Sequence, residues 1–324
     1  MTKRKRDDKK MHYTFFVNPA ARSGKSMVVW GEVEQFLKRN GVEFDSRLST
    51  APGELRKWAY RYAKYENASD RQLVVVGGDG SLNEVINGLL AFDTKRSIPL
   101  AYIPAGSGND FARAHGIVGT PAEMMQAILT KVAADEPKLI DIGEYMDAVK
   151  RERRFFLNNV GIGFDATTVE IANNSRIKNV LNKLKLGKAT YGVALIEALS
   201  RQDRFPVEII ANGRKFYTPR GYLLTVSNHP YFGGGVKIMP DADPTDGKID
   251  LIMIERPQFF LKILWLLVQL VRGRHYNYSE VHRFTASSIR VRTSRLELGH
   301  ADGEELGSRA YDLMVTTRPY PFWL

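Results

Sequence analysis

The sequence predicts an α/β chain with an N-terminal, mostly parallel α/β domain and a C-terminal β-sandwich-like domain. Three observations carry this reading. From Tyr13 to about Thr130, short β-branched runs alternate with stretches whose apolar residues recur at helical spacing. After Pro137 the helical spacing gives way to long β-like runs. Between the run Leu73–Val76 and the helical pattern Leu82, Val85, Ile86, Leu89 stands Gly77-Gly78-Asp79-Gly80-Ser81, a strand-to-helix turn nearly without side chains.

Taken in order, Tyr13–Val17 reads as the first strand and Asn18–Lys25 as the loop after it. A helix over Met27–Asn40 follows from Val29, Val33, Phe36 and Leu37, and a second helix is expected over Gly53–Tyr65. The strand Leu73–Val76 precedes a helix over Leu82–Ala91, and Ile98–Ile103 is the next strand, followed by a helix over Asn109–His115. Thr120-Pro121-Ala122-Glu123 opens a last helix to Leu129, with proline at the first helical position. Beyond it, Lys138–Tyr145, Arg154–Val160, Val207–Ala211, Gly221–Val226, Ile249–Ile254, Ser288–Val291 and Tyr311–Thr316 read as strands, with a helical excursion over Asn179–Ser200.

The glycine turn points to phosphate. Such a turn exposes backbone N–H groups at the positive end of a helix, where anions bind well. Asp79 adds a negative charge where triphosphate oxygens would crowd, which suits a site that also holds a cation. Pro104-Ala105-Gly106-Ser107-Gly108-Asn109-Asp110 repeats the pattern after the next strand. In a parallel sheet the two turns would lie side by side at the carboxyl edge, where ligands bind. Lys25 and Arg22, in the loop after the first strand, could neutralise phosphates or simply be solvated.

Two other phosphate patterns fail. Ser23-Gly24-Lys25-Ser26 ends like a Walker A loop, but Pro19 stands where that motif needs its first glycine. Gly161-Ile162-Gly163-Phe164-Asp165-Ala166 fits G-x-G-x-x-A, but no second strand ending in an acid follows, and it reads as a tight turn in the second domain.

Together, Asn18-Pro19 with Ser23-Gly24-Lys25, Gly77-Gly78-Asp79-Gly80-Ser81-Leu82-Asn83-Glu84 and Pro104–Ala112 resemble the diacylglycerol kinase catalytic domain family. The resemblance continues through Asn228–Gly235, Pro240–Leu251 and Asp302-Gly303-Glu304, in the family's order. Ser81 and Ser107 stand where many members carry threonine. The residues lay out a basic tail over 1–12, an α/β domain over 13–131 and a β-rich domain over 132–308. The resemblance implies that the first domain binds nucleotide and the second the lipid substrate, that the chain end (309–324) returns to the first domain, and that the active-site cleft lies between them. It implies an enzyme that moves the γ-phosphate of ATP to a lipid hydroxyl with Mg²⁺.

In that reading Asn18, Lys25, Thr50, Gly77, Gly78, Asp79, Gly80, Ser81, Asn83, Glu84, Gly106, Ser107, Asn109 and Asp110 hold the nucleotide. Asp79 and Asp110 contact Mg²⁺ through water, and Glu304 is the general base. A second, structural Mg²⁺ would use the Asp246 carboxylate and the carbonyls of Asp243 and Lys248. The residues themselves also allow a helix N-cap at Thr50 and plain turns at Asp246-Gly247 and Asp302-Gly303.

Composition agrees. A chain of 324 residues with 44% hydrophobic side chains can build two cores, and without cysteine it has neither disulfides nor thiolate sites. No signal-peptide pattern is visible. The formal charge is +11, of which Met1–Lys10 supplies +4 from six Lys/Arg against two Asp. Such a surface suits anionic lipid headgroups, and no zinc, helix-turn-helix or RNP signature points to nucleic acid. The expected location is cytoplasmic, peripheral at the inner membrane face, and the resemblance allows a homodimer.

Gln258–Val271 is the most apolar segment. It falls short of the ~20 residues that span a bilayer, and it reads as a packed helix or as an interfacial one flanked by Arg256, Lys262, Arg272, Arg274 and His275. Three functions stay open: a lipid kinase, an NAD kinase, whose family also uses a Gly-Gly-Asp-Gly loop, and a non-catalytic membrane-binding relative. Asn109–Ala112, Asp302-Gly303-Glu304 and the apolar helix favour the first.

Overall fold

A computed structural model describes residues 11–92, 97–164, 166–167 and 202–324. The basic tail Met1–Lys10, Asp165 and the expected helical excursion Asn179–Ser200 lie outside these residues. The chain divides into two compact units: Met1–Ile140 with Tyr320–Leu324, and Asp141–Pro319.

In the first unit strands and helices alternate. β1 (His12–Val17), α1 (Ser26–Arg39), β2 (Glu43–Leu48), α2 (Glu54–Arg61), β3 (Arg71–Gly77), α3 (Asp79–Leu90), β4 (Leu100–Pro104), α4 (Asp110–Ala114) and α5 (Pro121–Ala134) follow in order. The sheet runs β4-β3-β1-β2 and every pair is parallel. Phe322, near the chain end, pairs in parallel with Leu100.

Alternation along the strands feeds both faces of this sheet. Phe15, Val17, Val74, Val76, Ala101 and Ile103 pack with Trp30, Val33 and Leu37 of α1 and with Met125, Ile128 and Val132 of α5. Phe16 points the other way, its ring 5.7 Å from Trp58 and 6.2 Å from Tyr62. On that side α2 crosses α3 at Gly88, where a Cβ would stand 2.7 Å from that of Ala59. The end of the chain is tied down as well. Trp323 Nε1 donates to Gln72 Oε1 at 2.9 Å and Tyr320 Oη to the Ile98 carbonyl at 2.7 Å.

Two helices differ from expectation. α3 starts three residues earlier than Leu82, because the N–H groups of Ser81 and Leu82 both turn to the Gly78 carbonyl. α5 runs five residues past Leu129, with Thr120 and Glu123 forming a capping box at its start.

The second unit is antiparallel. Its strands are β5 (Lys138–Asp147), which begins just before the unit boundary, β6 (Glu152–Phe156), β7 (Asn159–Gly163), β8 (Phe205–Ala211), β9 (Arg214–Ser227), β10 (Tyr231–Phe232), β11 (Val236–Lys237), β12 (Ile249–Glu255), β13 (Val281–Ala286), β14 (Ser288–Thr293), β15 (Glu297–Ala301), β16 (Glu304–Arg309) and β17 (Asp312–Phe322). Strand order is β16-β15-β7-β9-β8-β14-β17, with β12 joining β9 to β13. Val160, Ile162, Val207, Ile209, Leu224, Val226, Val291 and Val315 are among its core residues. The helix α6 (Phe260–Val271) packs Ile263, Leu266 and Leu270 against Tyr222, Leu223, Ile252 and Ile254.

Two expectations fail here. The run Arg154–Val160 is two strands, β6 and β7, because the N–H groups of Leu157, Asn158 and Asn159 are drawn to Asp302. Gly161-Ile162-Gly163 is no tight turn: it lies in β7 and pairs with β9. Gly163 has φ +82, and a Cβ there would stand 2.7 Å from the Tyr222 carbonyl oxygen.

Candidate active site

Register places the loops of the first unit. Val17 of β1 pairs with Val76 of β3, and Val76 with Ile103 of β4. Val17 also pairs with Leu48 of β2. The loops that begin at Asn18, Thr50, Gly78 and Ala105 therefore leave one carboxyl edge together, the edge where parallel sheets bind ligands.

Glycine is required where two of these loops touch. A Cβ on Gly106 would stand 2.5 Å from the Gly78 Cα and 2.7 Å from Asn109 Oδ1. A Cβ on Gly77 would meet Ser81 Oγ at 2.6 Å. A Cβ on Gly80 would meet nothing within 4 Å. The first turn of α3 carries the positive end of the helix.

Side chains stitch the edge. Asn18 Nδ2 donates to Ser81 Oγ at 2.8 Å, and Asn18 Oδ1 accepts the Ala20 N–H at 3.0 Å. Asn109 occupies the cap position of α4 in a left-handed conformation, yet its side chain caps nothing. It clamps its own loop instead, with Oδ1 accepting the Gly106 N–H at 2.9 Å and Nδ2 donating to the Gly106 carbonyl at 3.1 Å. Tyr102 Oη donates to the Gly77 carbonyl at 3.2 Å. Burial, with Asp79 nearby, raises the Tyr102 pKa well above its usual value and keeps it a donor.

Asp79 sits in the first turn of α3, where a carboxylate suits the helix dipole. Its Oδ2 accepts the N–H of Asp110 at 3.1 Å and its Oδ1 that of Phe111 at 3.3 Å. It thereby fixes α4 to α3, a role the sequence did not reveal. A carboxylate has about four acceptor sites, so this duty is compatible with contact to a hydrated cation. Asp110 is buried and ion-paired with Arg113. Arg113, not expected at the site, also donates to the Gly108 carbonyl at 3.1 Å. Its signal was its place one helical turn after Asp110.

Of the remaining expected residues, Asn83 is buried and its Oδ1 accepts from Asn87 at 3.1 Å, which makes it part of α3's packing. Glu84 Oε1 accepts the Gly53 N–H at 3.2 Å. Thr50 is not the N-cap of α2; Gly53 is. The Thr50 N–H and hydroxyl go to Glu54 at 2.6 and 3.2 Å, and these bonds hold the Glu54 carboxyl below its usual pKa. Lys25 and Ser107 are exposed at the same edge.

The second unit carries the other carboxylates. Asp302 and Gly303 form the β15–β16 turn with φ of +48 and +84, the primed geometry that favours Asp-Gly. Asp302 Oδ2 accepts the Leu157 N–H at 2.7 Å and Oδ1 those of Asn158 and Asn159 at 2.9 Å each. Glu304 opens β16 and is exposed. Burial opposes the charge of Arg154, but its hydrogen bond to Glu152 and the field of Glu304 nearby raise its pKa overall. Behind the turn, Asn158 Oδ1 accepts from His229 Nε2 at 2.8 Å, and His229 Nδ1 accepts the Tyr231 N–H at 3.2 Å. Burial pushes the His229 pKa down to about 4.

The loop expected to hold a structural metal is closed by its own donors. Asp246 Oδ1 accepts the Lys248 N–H at 2.9 Å, and the Lys248 ammonium lies 3.3 Å from Oδ2. Asp243 Oδ1 accepts the N–H and hydroxyl of Thr245 at 2.9 and 2.6 Å, and Asp141 accepts the Gly247 N–H at 2.8 Å. The oxygen donors suit Mg²⁺ in kind; the ammonium beside Asp246 would have to move aside.

Residues 12–144 match the model of the diacylglycerol kinase catalytic domain, and residues 158–320 that of the YegS C-terminal NAD kinase beta sandwich-like domain. A Bacillus subtilis (strain 168) protein named "Putative lipid kinase YtlR" is 31% identical over 95% of this chain and 98% of its own. The chain belongs to the diacylglycerol kinase catalytic domain family. Within that lipid-kinase family, the Mycobacterium tuberculosis (strain CDC 1551 / Oshkosh) protein named "Diacylglycerol kinase" is 27% identical over 90% of this chain and 88% of its own. The crystal structure "of a putative diacylglycerol kinase from Bacillus anthracis str. Sterne" superposes with a TM-score of 0.74 at 23% identity, over 99% of this chain and 98% of that one. That likeness speaks for the fold: a parallel α/β unit and a β-rich unit, as the family expectation holds.

Proposed function

We propose that this lipid-kinase relative transfers the γ-phosphoryl group of ATP to the free hydroxyl of diacylglycerol, giving phosphatidic acid and ADP. The observation that carries the proposal is the close approach of the Gly78 and Gly106 backbones at the mouth of α3. It supports the reading because backbone N–H groups at the positive end of a helix, at the carboxyl edge of a parallel sheet, suit a phosphate. The loops cradle the triphosphate, and Lys25 and Arg22 neutralise part of its charge. Asn18 and Ser81 hold the first loop on α3, and Asn109 holds Gly106 in place.

Mg²⁺, when bound, neutralises charge on the phosphates. Asp79 and Asp110 are the oxygen donors suited to hold it through water. Asp246 with the Asp243 and Lys248 carbonyls would take a second, structural ion. Glu304 removes the lipid hydroxyl proton as that oxygen bonds to the γ-phosphorus and the bond to the ADP oxygen breaks. The enzyme works as a peripheral protein at the cytoplasmic face of the membrane.

The test offers purified protein radiolabelled ATP and Mg²⁺ with a panel of lipid alcohols in mixed micelles, and NAD in parallel because residues 158–320 match an NAD kinase beta sandwich-like domain. Label in phosphatidic acid is expected. Label in a different lipid keeps the kinase and replaces the acceptor; label in NADP alone overturns the proposal.

A further inference from the structure

The helix α6 has two apolar faces, and the fold uses one. Ile263, Leu266 and Leu270 are buried in the second unit's core. The opposite face is apolar as well: Leu261 is 77% exposed, Val271 66%, Phe260 56% and Trp265 51%, with Leu264 and Val268 between them. Phe259, just before the helix, is exposed too. Among the described residues nothing covers this stripe. A surface helix ordinarily turns polar residues to water, and a contiguous exposed apolar face marks an interaction site.

Charge says what the partner is. From Arg256 to Ser279 the chain carries four Lys/Arg (Arg256, Lys262, Arg272, Arg274) and no Asp or Glu. Arg272 and Arg274 are exposed at the C-terminal end of the stripe. Trp265 Nε1 donates to Tyr278 Oη at 2.8 Å, so two amphipathic rings share its edge, as in side chains that settle at a headgroup boundary. No described helix is long and apolar enough to cross a membrane. Lys262 pairs with Glu280 and Arg256 with Asp203, so Arg272 and Arg274 are the cations that the end of the stripe offers to a partner. An exposed apolar face with cations at its end is what a helix lying in an anionic bilayer surface requires.

We infer that the outer face of α6 inserts into the headgroup–acyl boundary of an anionic membrane and holds the protein there. The inference rests on the lipid-kinase reading only in its choice of lipid over protein as partner. Phe260, Leu261, Trp265 and Val268 enter the boundary region, and Arg272 and Arg274 meet the headgroup phosphates.

The experiment uses the full chain with vesicles of phosphatidylcholine, with and without phosphatidylglycerol, and reads co-sedimentation and tryptophan emission without ATP. Binding to the anionic vesicles is expected, with a blue shift lost in Trp265→Phe. Leu261→Ser with Val268→Ser should weaken binding roughly tenfold or more, since two apolar side chains no longer leave water. Arg272→Gln with Arg274→Gln should weaken binding to the anionic vesicles alone. Both double variants alter exposed side chains, and an unchanged thermal melt verifies the fold. Equal vesicle binding by wild type and variants overturns the inference. So does a wild-type dimer in sedimentation that the serine variant splits while vesicle binding persists, which would make the stripe a contact between copies. Absent vesicle binding with intact phosphorylation of a soluble short-chain diacylglycerol sinks the docking surface and leaves the kinase standing. Vesicle binding without phosphorylation of any lipid alcohol does the reverse.

Discussion

Asp79 in the first unit and Asp302 in the second each hold backbone N–H groups on a turn, but across very different lengths of chain. Asp79 reaches Asp110 and Phe111, 31 and 32 residues on, at the next strand–helix junction. Asp302 reaches back 145 residues to Leu157 and takes the next two N–H groups as well. Parallel βα repeats place successive turns side by side, so a short carboxylate suffices there. In the antiparallel unit, strands distant in sequence become neighbours, and one carboxylate fixes where a strand stops. The first arrangement joins two glycine turns; the second joins the turn before Glu304 to the break between β6 and β7.

This contrast implies unequal stability effects. Asp302→Ala strands three N–H acceptor-seekers, each worth roughly 1–3 kcal/mol when left unsatisfied. The second unit should lose about 3–9 kcal/mol of unfolding free energy in a urea titration. A loss below about 1 kcal/mol would show that water replaces the carboxylate.

Next in size is an acid effect confined to the second unit. His229 is buried with its pKa lowered to about 4 from 6.5, so between those values the unfolded chain binds the proton and the folded one does not. Stability should therefore fall as pH drops from about 6.5 to about 4, by about 3 kcal/mol in all. In His229→Gln that slope should flatten. An unchanged slope in the variant would assign the acid sensitivity to other groups.

Smaller again is Gly106→Ala. The added Cβ would press on the Gly78 Cα at 2.5 Å, and moving the loops apart should cost about 1–3 kcal/mol, with loss of nucleotide binding in calorimetry. Binding that survives would place the triphosphate elsewhere.

Smallest is Asp79→Ala. Freeing two N–H groups at the start of a short helix should cost about 1–2 kcal/mol. A larger loss than that of Asp302→Ala would invert the comparison.

The same contrast explains what could be read from the sequence. β1, β3, β4 and their turns were legible because β-branched runs, glycines and helical spacing stand next to one another in the chain. The start of α3 was not, since glycines that look like a loop form the helix's first turn. The break between β6 and β7 was illegible because its cause, Asp302, lies far along the chain. β2 (Glu43–Leu48) and β16 (Glu304–Arg309) escaped because only one of their residues is buried and few are apolar. The places of Asp79 and Asp110 after strand-to-helix turns were legible, while their partners were not. The pairing of Asp110 with Arg113, and the grip of Asp79 on α4, depend on geometry that a one-dimensional motif does not carry.

Glu304→Gln tests the central claim most directly: nucleotide held by the glycine turns, proton taken by the hairpin carboxylate. The amide keeps the size and polarity of the side chain but cannot accept a proton at neutral pH. With diacylglycerol micelles and saturating ATP and Mg²⁺, turnover should fall roughly 10²–10⁴-fold while ATP affinity by calorimetry stays unchanged. Turnover near that of the wild type, or ATP binding lost along with it, would contradict the account.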